Sequence, residues 1–199
     1  SNWVQEDLSG TASGNVLKSI SHNVPQPPTG TFADVADSDA DGQTLKVTTT
    51  GTFNLKYGIL VLKADGSYTY TLYTAAQNLA AYKAVQKLTS GETLKENSFA
   101  YGVTDGALSA SSTLNLTVFG SNDPVNIGGI GLTGGDQTVF ENDLANGTSP
   151  NAPALTKTGI FTFVATDGID DLKVGGTFVV ENGLVKNLNT AIVTANGII

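Results

Sequence analysis

Tyr57-Gly-Ile-Leu-Val-Leu-Lys-Ala-Asp-Gly-Ser-Tyr-Thr-Tyr-Thr-Leu-Tyr73 decides the fold class. In its second half Tyr68, Tyr70 and Leu72 alternate with Ser67, Thr69 and Thr71, a period of two that places the apolar side chains on one face of a strand. The first half is apolar, and Ala64-Asp65-Gly66 stands between the two. A hairpin is therefore expected, with Asp-Gly supplying the positive φ of its turn. Downstream the same logic recurs. Phe99, Tyr101 and Val103 share a face, Asp105-Gly106 turns the chain, and Leu114, Leu116 and Val118 alternate in a return strand. Between the hairpins Ala75 to Leu88 has helix-forming composition, with Leu79, Tyr82, Val85 and Leu88 spaced for one short helical face. Upstream, Pro25, Pro27 and Pro28 predict a loop before a strand beginning at Thr31. The chain reads as all-β, built of antiparallel Greek-key β-sandwiches with one short helix in the first.

An internal repeat divides the chain. Thr29-Gly-Thr-Phe-Ala-Asp-Val-Ala-Asp-Ser-Asp-Ala-Asp-Gly-Gln-Thr-Leu-Lys-Val47 returns as Thr158-Gly-Ile-Phe-Thr-Phe-Val-Ala-Thr-Asp-Gly-Ile-Asp-Asp-Leu-Lys-Val174, and Val4-Gln-Glu-Asp-Leu8 as Val139-Phe-Glu-Asn-Asp-Leu144. Two tandem units are expected, 1–121 and 125–199, with 122–124 (Asn-Asp-Pro) as the joint. The second is shorter and lacks both hairpins. Its apolar face, made by Phe161, Phe163, Val174, Phe178 and Val180, is expected to be partly covered and to complete its sheet from an Asn182-Gly183 hairpin and 191–199, or from a neighbour's strand.

Composition limits the chemistry. The 199 residues include 10 Lys plus Arg against 18 Asp plus Glu, for a net charge of −8. That balance disfavours nucleic acid and anionic membranes as partners. No apolar run approaches the roughly 20 residues of a membrane-spanning helix, so no membrane insertion is expected. Ser1-Asn-Trp-Val has neither the basic start nor the apolar stretch of a signal peptide, and Ser1-Asn2 reads as a remnant appended to an excised fragment. There is no Cys and one His, His22, for which the sequence offers no partner. Thiol chemistry, disulfides and multi-His zinc sites are thereby excluded.

The chemistry left is that of oxygen. Asp37, Asp39 and Asp41, followed by Gly42, place three carboxylates at alternate positions of a tight turn, a pattern able to converge on a hard cation. An EF-hand is excluded, because its twelfth position is Thr48 and strands flank it. Glu6 with Asp7, Glu92, Asn122 with Asp123, Glu141 with Asp143, and Asp167 with Asp170 and Asp171 are further oxygen ligands near the expected unit ends. Gly129-Ile-Gly-Leu-Thr-Gly134 matches a dinucleotide-binding glycine pattern, yet no helix follows it, so it reads as a loop. Trp3 and the Tyr-rich hairpin read as core rather than as a sugar platform.

Val4-Gln-Glu-Asp7, Gly14-Asn-Val-Leu17, Asp39-Ala-Asp-Gly42, Ala64-Asp-Gly-Ser-Tyr-Thr-Tyr-Thr-Leu72, Gly91-Glu-Thr-Leu94, Phe99-Ala-Tyr-Gly-Val-Thr-Asp-Gly106 and Gly120-Ser-Asn-Asp-Pro-Val125 together resemble a VCBS repeat. These are the cadherin-like modules of giant, type-I-secreted, RTX-type bacterial surface adhesins. The resemblance covers residues 3–125 and departs at Lys18–Ala36, an insertion. It implies calcium (Ca2+) shared by Glu6, Asp7, Glu92, Asn122, Asp123, Asp167 and Asp170 at the joint. By the same mapping Asp37, Asp39 and Asp41 would serve a preceding joint, and Glu141 and Asp143 a following one. The implied function is a calcium-rigidified extracellular adhesive module active in attachment and biofilm formation, with neighbouring repeats of the same polypeptide and a host or surface glycan or protein as partners. Two other readings compete: a carbohydrate- or protein-binding module using the 18–36 insertion, and a glycosidase with paired carboxylates. The second is weak, because acids in short acidic turns favour low pKa values over a raised general acid.

Overall fold

The computed structural model describes residues 1–129, 137–187, 189–194 and 197–198. They fall into two units, Ser1–Asn122 and Asp123–Ile199. In the first, the strands are β1 (Asn2–Gln5), β2 (Thr11–Asn15), β3 (Ile20–Ser21), β4 (Ala33–Asp34), β5 (Lys46–Val47), β6 (Gly51–Asn54), β7 (Gly58–Leu62) and β8 (Ser67–Leu72). Helix α1 (Leu79–Val85) follows, then β9 (Thr93–Lys95), β10 (Phe99–Thr104), β11 (Ser109–Leu114) and β12 (Leu116–Phe119). They build a four-stranded sheet β2-β8-β7-β6, two three-stranded sheets, β11-β10-β5 and β1-β12-β9, and a small β3-β4 ladder.

The expected first hairpin is β7–β8. Leu60 pairs with Tyr70 and Leu62 with Tyr68, and all four are buried, whereas Thr69 and Thr71 face solvent. At its turn Gly66 takes φ +80°, and the Asp65 carboxylate accepts from the Ser67 amide at 3.0 Å and hydroxyl at 2.6 Å. Those bonds, the hydroxyl's first, hold the Asp65 pKa below the ordinary carboxylate value. Inward residues of all three larger sheets, among them Val4, Val47, Leu60, Tyr101, Leu114 and Val118, form one core.

Five expectations need correction. The return strand of the second hairpin is not continuous: β11 pairs with β10, and after Asn115 the chain leaves for another sheet, where β12 lies between β1 and β9. The alternation conceals this break because Leu114, Leu116 and Val118 stay on the core throughout. The sandwich is not wholly antiparallel either, since β1 and β12 run parallel from Asn2↔Leu116 to Gln5↔Phe119, the intervening chain serving as the long crossover that parallel pairing needs. Third, α1 turns Ala81 and Val85 inward and leaves Leu79 54% exposed, because the Asn78 side chain accepts from the Ala81 amide and fixes where the first turn begins. Fourth, the proline loop is closed by a ladder, Ile20↔Asp34 and Ser21↔Ala33, so the strand starts at Ala33. Finally, Asn2, expected to be foreign to the fold, is buried in β1 and donates to the Ser13 carbonyl at 3.0 Å.

The second unit contains β13 (Asn126–Gly128), β14 (Thr162–Val164), β15 (Leu172–Val174), β16 (Thr177–Glu181), β17 (Leu184–Val185), β18 (Val193–Thr194) and β19 (Gly197–Ile198), with short 3-10 turns at Glu141–Asp143 and Ala152–Leu155. Its described strands form separate ladders, β13-β14, β15-β16-β17 and β18-β19. The Asn182-Gly183 turn joins β16 to β17 with φ of 50° and 72°, the left-handed pair that a tight hairpin demands. Phe163, Val174 and Phe178 are half-buried and Phe161 is 40% exposed. Most of the Gly129–Gly134 loop and the end of the 191–199 segment lie outside the described residues.

Candidate functional site

Where β1 ends, the Glu6 amide donates to the Phe119 carbonyl at 3.1 Å, which sets Glu6 beside the end of β12. Its side chain is buried, one oxygen accepting from the Ser121 amide at 2.9 Å and the other from Gln86 Nε2 at 3.3 Å. The same Gln86 amide donates to Asp7 Oδ1 at 3.3 Å, and Asp7 holds a left-handed φ of 56°. Glu92 caps its own turn, Oε2 accepting from the Thr89 amide at 2.8 Å and hydroxyl at 3.1 Å. Those bonds, the backbone one first, lower its pKa and keep it a carboxylate. Asn122 Oδ1 accepts from the Ser90 amide at 2.8 Å.

Backbone contacts tie these pieces together. The Gly120 amide donates to the Glu92 carbonyl at 3.0 Å, and a Cβ on Gly120 would lie 2.4 Å from the Thr89 carbonyl oxygen, so only glycine permits this approach. Four of the expected ligands, Glu6, Asp7, Glu92 and Asn122, therefore gather at one end of the first unit around 86–92 and 119–122. Their donor atoms are hard oxygens, the chemistry calcium selects. Among the described residues, no three acidic or histidine side chains are close enough together to hold a metal ion.

The other expected ligands are distributed differently. Asp37 Oδ2 accepts from the Tyr101 hydroxyl at 2.9 Å, and Asp39 Oδ1 accepts from the amides of Asp41 at 2.9 Å and Gln43 at 3.1 Å, while Asp41 is exposed. In the second unit Asp167 Oδ2 accepts from the Asp123 amide at 2.7 Å, and its Oδ1 is buried with no partner among the described residues. Asp170 is exposed, and Asp171 Oδ1 accepts from the Asn182 amide at 3.2 Å. Glu141 and Asp143 flank Asn142 in the 3-10 turn, whose Asp143 carbonyl accepts from Asn151 at 2.9 Å.

Two buried acids were not among the expected functional residues. Glu96 accepts from the amides of Lys56 at 2.8 Å and Tyr57 at 2.7 Å and from the Tyr70 hydroxyl at 2.6 Å, pinning the loop between β6 and β7 to the segment after β9. Asp34 Oδ2 accepts from the Asn15 amide at 3.0 Å and the Tyr68 hydroxyl at 2.9 Å, and lies 2.9 Å from His22 Nε2. His22 thus has an acidic neighbour that the sequence did not disclose, although its Nε2 makes no hydrogen bond among the described residues. Its carbonyl accepts from Trp3 Nε1 at 2.6 Å, and Trp3 is buried against Phe32 and Phe119. Burial first, and these acids second, raise the hydroxyl pKa values of Tyr68 and Tyr70, and burial pushes Tyr101 up to about 12. These tyrosines are hydrogen-bonded core residues.

A strand-rich sandwich of this kind is that of a cadherin-like, adhesion-type structural module. The family model of the bacterial cadherin-like domain matches residues 5–120, more than half of the chain, and the chain belongs to that family. No curated protein matches it. Domains of this family are typically non-enzymatic, extracellular or surface-located, and generally bind calcium. Among the described residues, no helix is long and apolar enough to cross a membrane.

Proposed function

We propose that the chain is a calcium-rigidified structural and adhesive module of a repetitive bacterial surface adhesin that serves attachment and biofilm formation. The observation that carries this reading is the gathering of Glu6, Asp7, Glu92 and Asn122 at the end of the first unit where the polypeptide leaves it. The three carboxylates lie around one chain end without forming a close cluster, and a divalent cation would draw their oxygens together by offsetting the repulsion between them. These four residues would hold the ion from the first unit. An ion bound there stiffens the chain as it passes through Asn122-Asp123. The resemblance adds Asp123, Asp167 and Asp170 as ligands from the second unit.

Calorimetry tests the reading. Sites of extracellular modules bind calcium at roughly 10⁻⁴ to 10⁻³ M. At the tight end of that range, millimolar calcium stabilises the first unit by about 1.4 kcal/mol, and its melting temperature rises by roughly 4–8 °C over that in EDTA. Glu6→Gln should remove most of that rise. An identical melting temperature in EDTA and in calcium overturns the proposal.

A further inference from the structure

The second unit carries an apolar groove of about 450 Å³, walled by Ile127 on β13, Phe161 and Phe163 at β14, and Leu172 and Val174 on β15. Among the described residues one wall is a strand edge, because β15 stands at the end of the β15-β16-β17 sheet. Such an edge presents unpaired amides and carbonyls and is a template for another strand.

The internal repeat says what lies against this edge in the first unit. Lys173–Val174 repeats Lys46–Val47, the residues of β5. There β10 pairs antiparallel with β5, Val103↔Val47 and Thr104↔Lys46, and the Thr48 amide donates to the Gly102 carbonyl at 2.8 Å. The Val47 amide points the other way, to the Ala64 carbonyl at 3.0 Å. In the second unit β15 doubles back through Gly175-Gly176, φ 55° and 84°, and Val174 pairs with Thr177. A two-residue turn of this kind closes on a pair whose amides face across the ladder. So β16 fills the side that Ala64 fills in the first unit, and the side that β10 fills there is the outer edge.

A second observation comes from an acid. The Tyr101 hydroxyl of β10 satisfies Asp37, two residues past the repeat's Val35, whereas Asp167, three past the matching Val164, keeps a buried Oδ1 without a partner among the described residues. The docked strand of the first unit thus brings two things that the described residues of the second unit do not supply: a ladder partner on the outer side of Leu-Lys-Val and a hydroxyl for the acid.

We propose that this groove takes up an extended strand of another polypeptide segment, uncharged or basic, apolar at alternate positions and carrying a tyrosine, which pairs antiparallel with Lys173–Val174 as β10 pairs with Lys46–Val47. Charge argues against a second copy of the same edge. Asp170 and Asp171 line the groove, so edge-to-edge self-pairing would bring four carboxylates together, while Lys173 is drawn over the Phe178 ring, 4.1 Å from its centroid.

The probe is an uncharged capped peptide, Ser-Phe-Ala-Tyr-Gly-Val-Thr, the sequence of residues 98–104, titrated into the full 199-residue chain. We expect saturable binding below about 1 mM and slower hydrogen exchange at the Lys173 amide. Ile127→Asp should weaken binding about tenfold or more, because Ile127 walls the groove yet is 59% exposed, so the substitution leaves the unit folded. Replacing the peptide's tyrosine by phenylalanine should weaken it severalfold. Absence of saturable binding, or equal binding by Ile127→Asp, overturns the proposal. So does a concentration-dependent dimer of the chain alone that Ile127→Asp abolishes, which would make a second copy the occupant.

Discussion

Leu-Lys-Val occurs twice in this chain, with different outcomes. In the first unit Val47 is 3% exposed, held between β10 and the β7–β8 hairpin that faces it in the core. In the second, Val174 is only half-buried on an edge strand, and Val125, Ile127, Val164, Leu184 and Val185 around the same ladders are each more than half exposed. The repeated residues specify local strand geometry in both places. Burial is supplied by what the rest of the chain brings against them, and the first unit contains two hairpins for which the second has no counterpart.

The sharpest test of that contrast is a pair of truncations. Leu60→Ala removes a fully buried side chain and should cost the first unit about 2–5 kcal/mol in urea unfolding. Val185→Ala, 61% exposed, should change the second by less than about 0.5 kcal/mol. Similar costs for the two would refute the contrast. The next effect in size belongs to the buried acid of the first unit. Glu96→Gln turns an acceptor of three hydrogen bonds into a group whose NH2 confronts either the Lys56 amide or the Tyr57 amide together with the Tyr70 hydroxyl, at a cost of about 1–3 kcal/mol. Chemical denaturation checks it, and a neutral result would mean that the pin between sheets contributes nothing.

The smallest effect is acid sensitivity of the hairpin turns. Asp65 and Asp105 have pKa values below the ordinary 3.8, through Ser67 and through the amides of Leu108 and Ala107. Their carboxylates are therefore easier to keep charged in the folded state than in the unfolded one. The stabilisation they give is present above pH 3.8 and is lost as pH falls through the folded pKa values. Melting temperatures measured from pH 5 downward should fall less steeply for the double variant Asp65→Asn, Asp105→Asn than for the parent. An unchanged slope would show that the turns do not contribute.

What could be read from sequence follows the range of the forces involved. The β7–β8 hairpin was legible because alternation and Asp-Gly act within a few residues. The crossing of the chain between sheets at Asn115 was not, since Leu114, Leu116 and Val118 keep one inward rhythm through the break. Glu6, Asp7, Glu92 and Asn122 could be singled out by family likeness, but Gln86, which bridges the first two, could not, because its role rests on a contact made across some eighty residues of chain. Asp34 did leave a trace. In the repeat its place is taken by Phe163, a sign that the position faces inward, though only the fold discloses Tyr68 and Asn15 as its partners and His22 as its neighbour.

The parallel pairing of β1 with β12 also has a mechanical meaning. The entering strand and the leaving strand of the first unit run side by side in the same direction, from Asn2↔Leu116 to Gln5↔Phe119. Tension that draws the start of β1 backward and the end of β12 forward slides one strand along the other. Their rungs are then loaded together in shear, instead of being opened one after another as when a hairpin is peeled from its end. A module strung along a filament in this way is clamped across the line of pull, whatever the rest of its sandwich does.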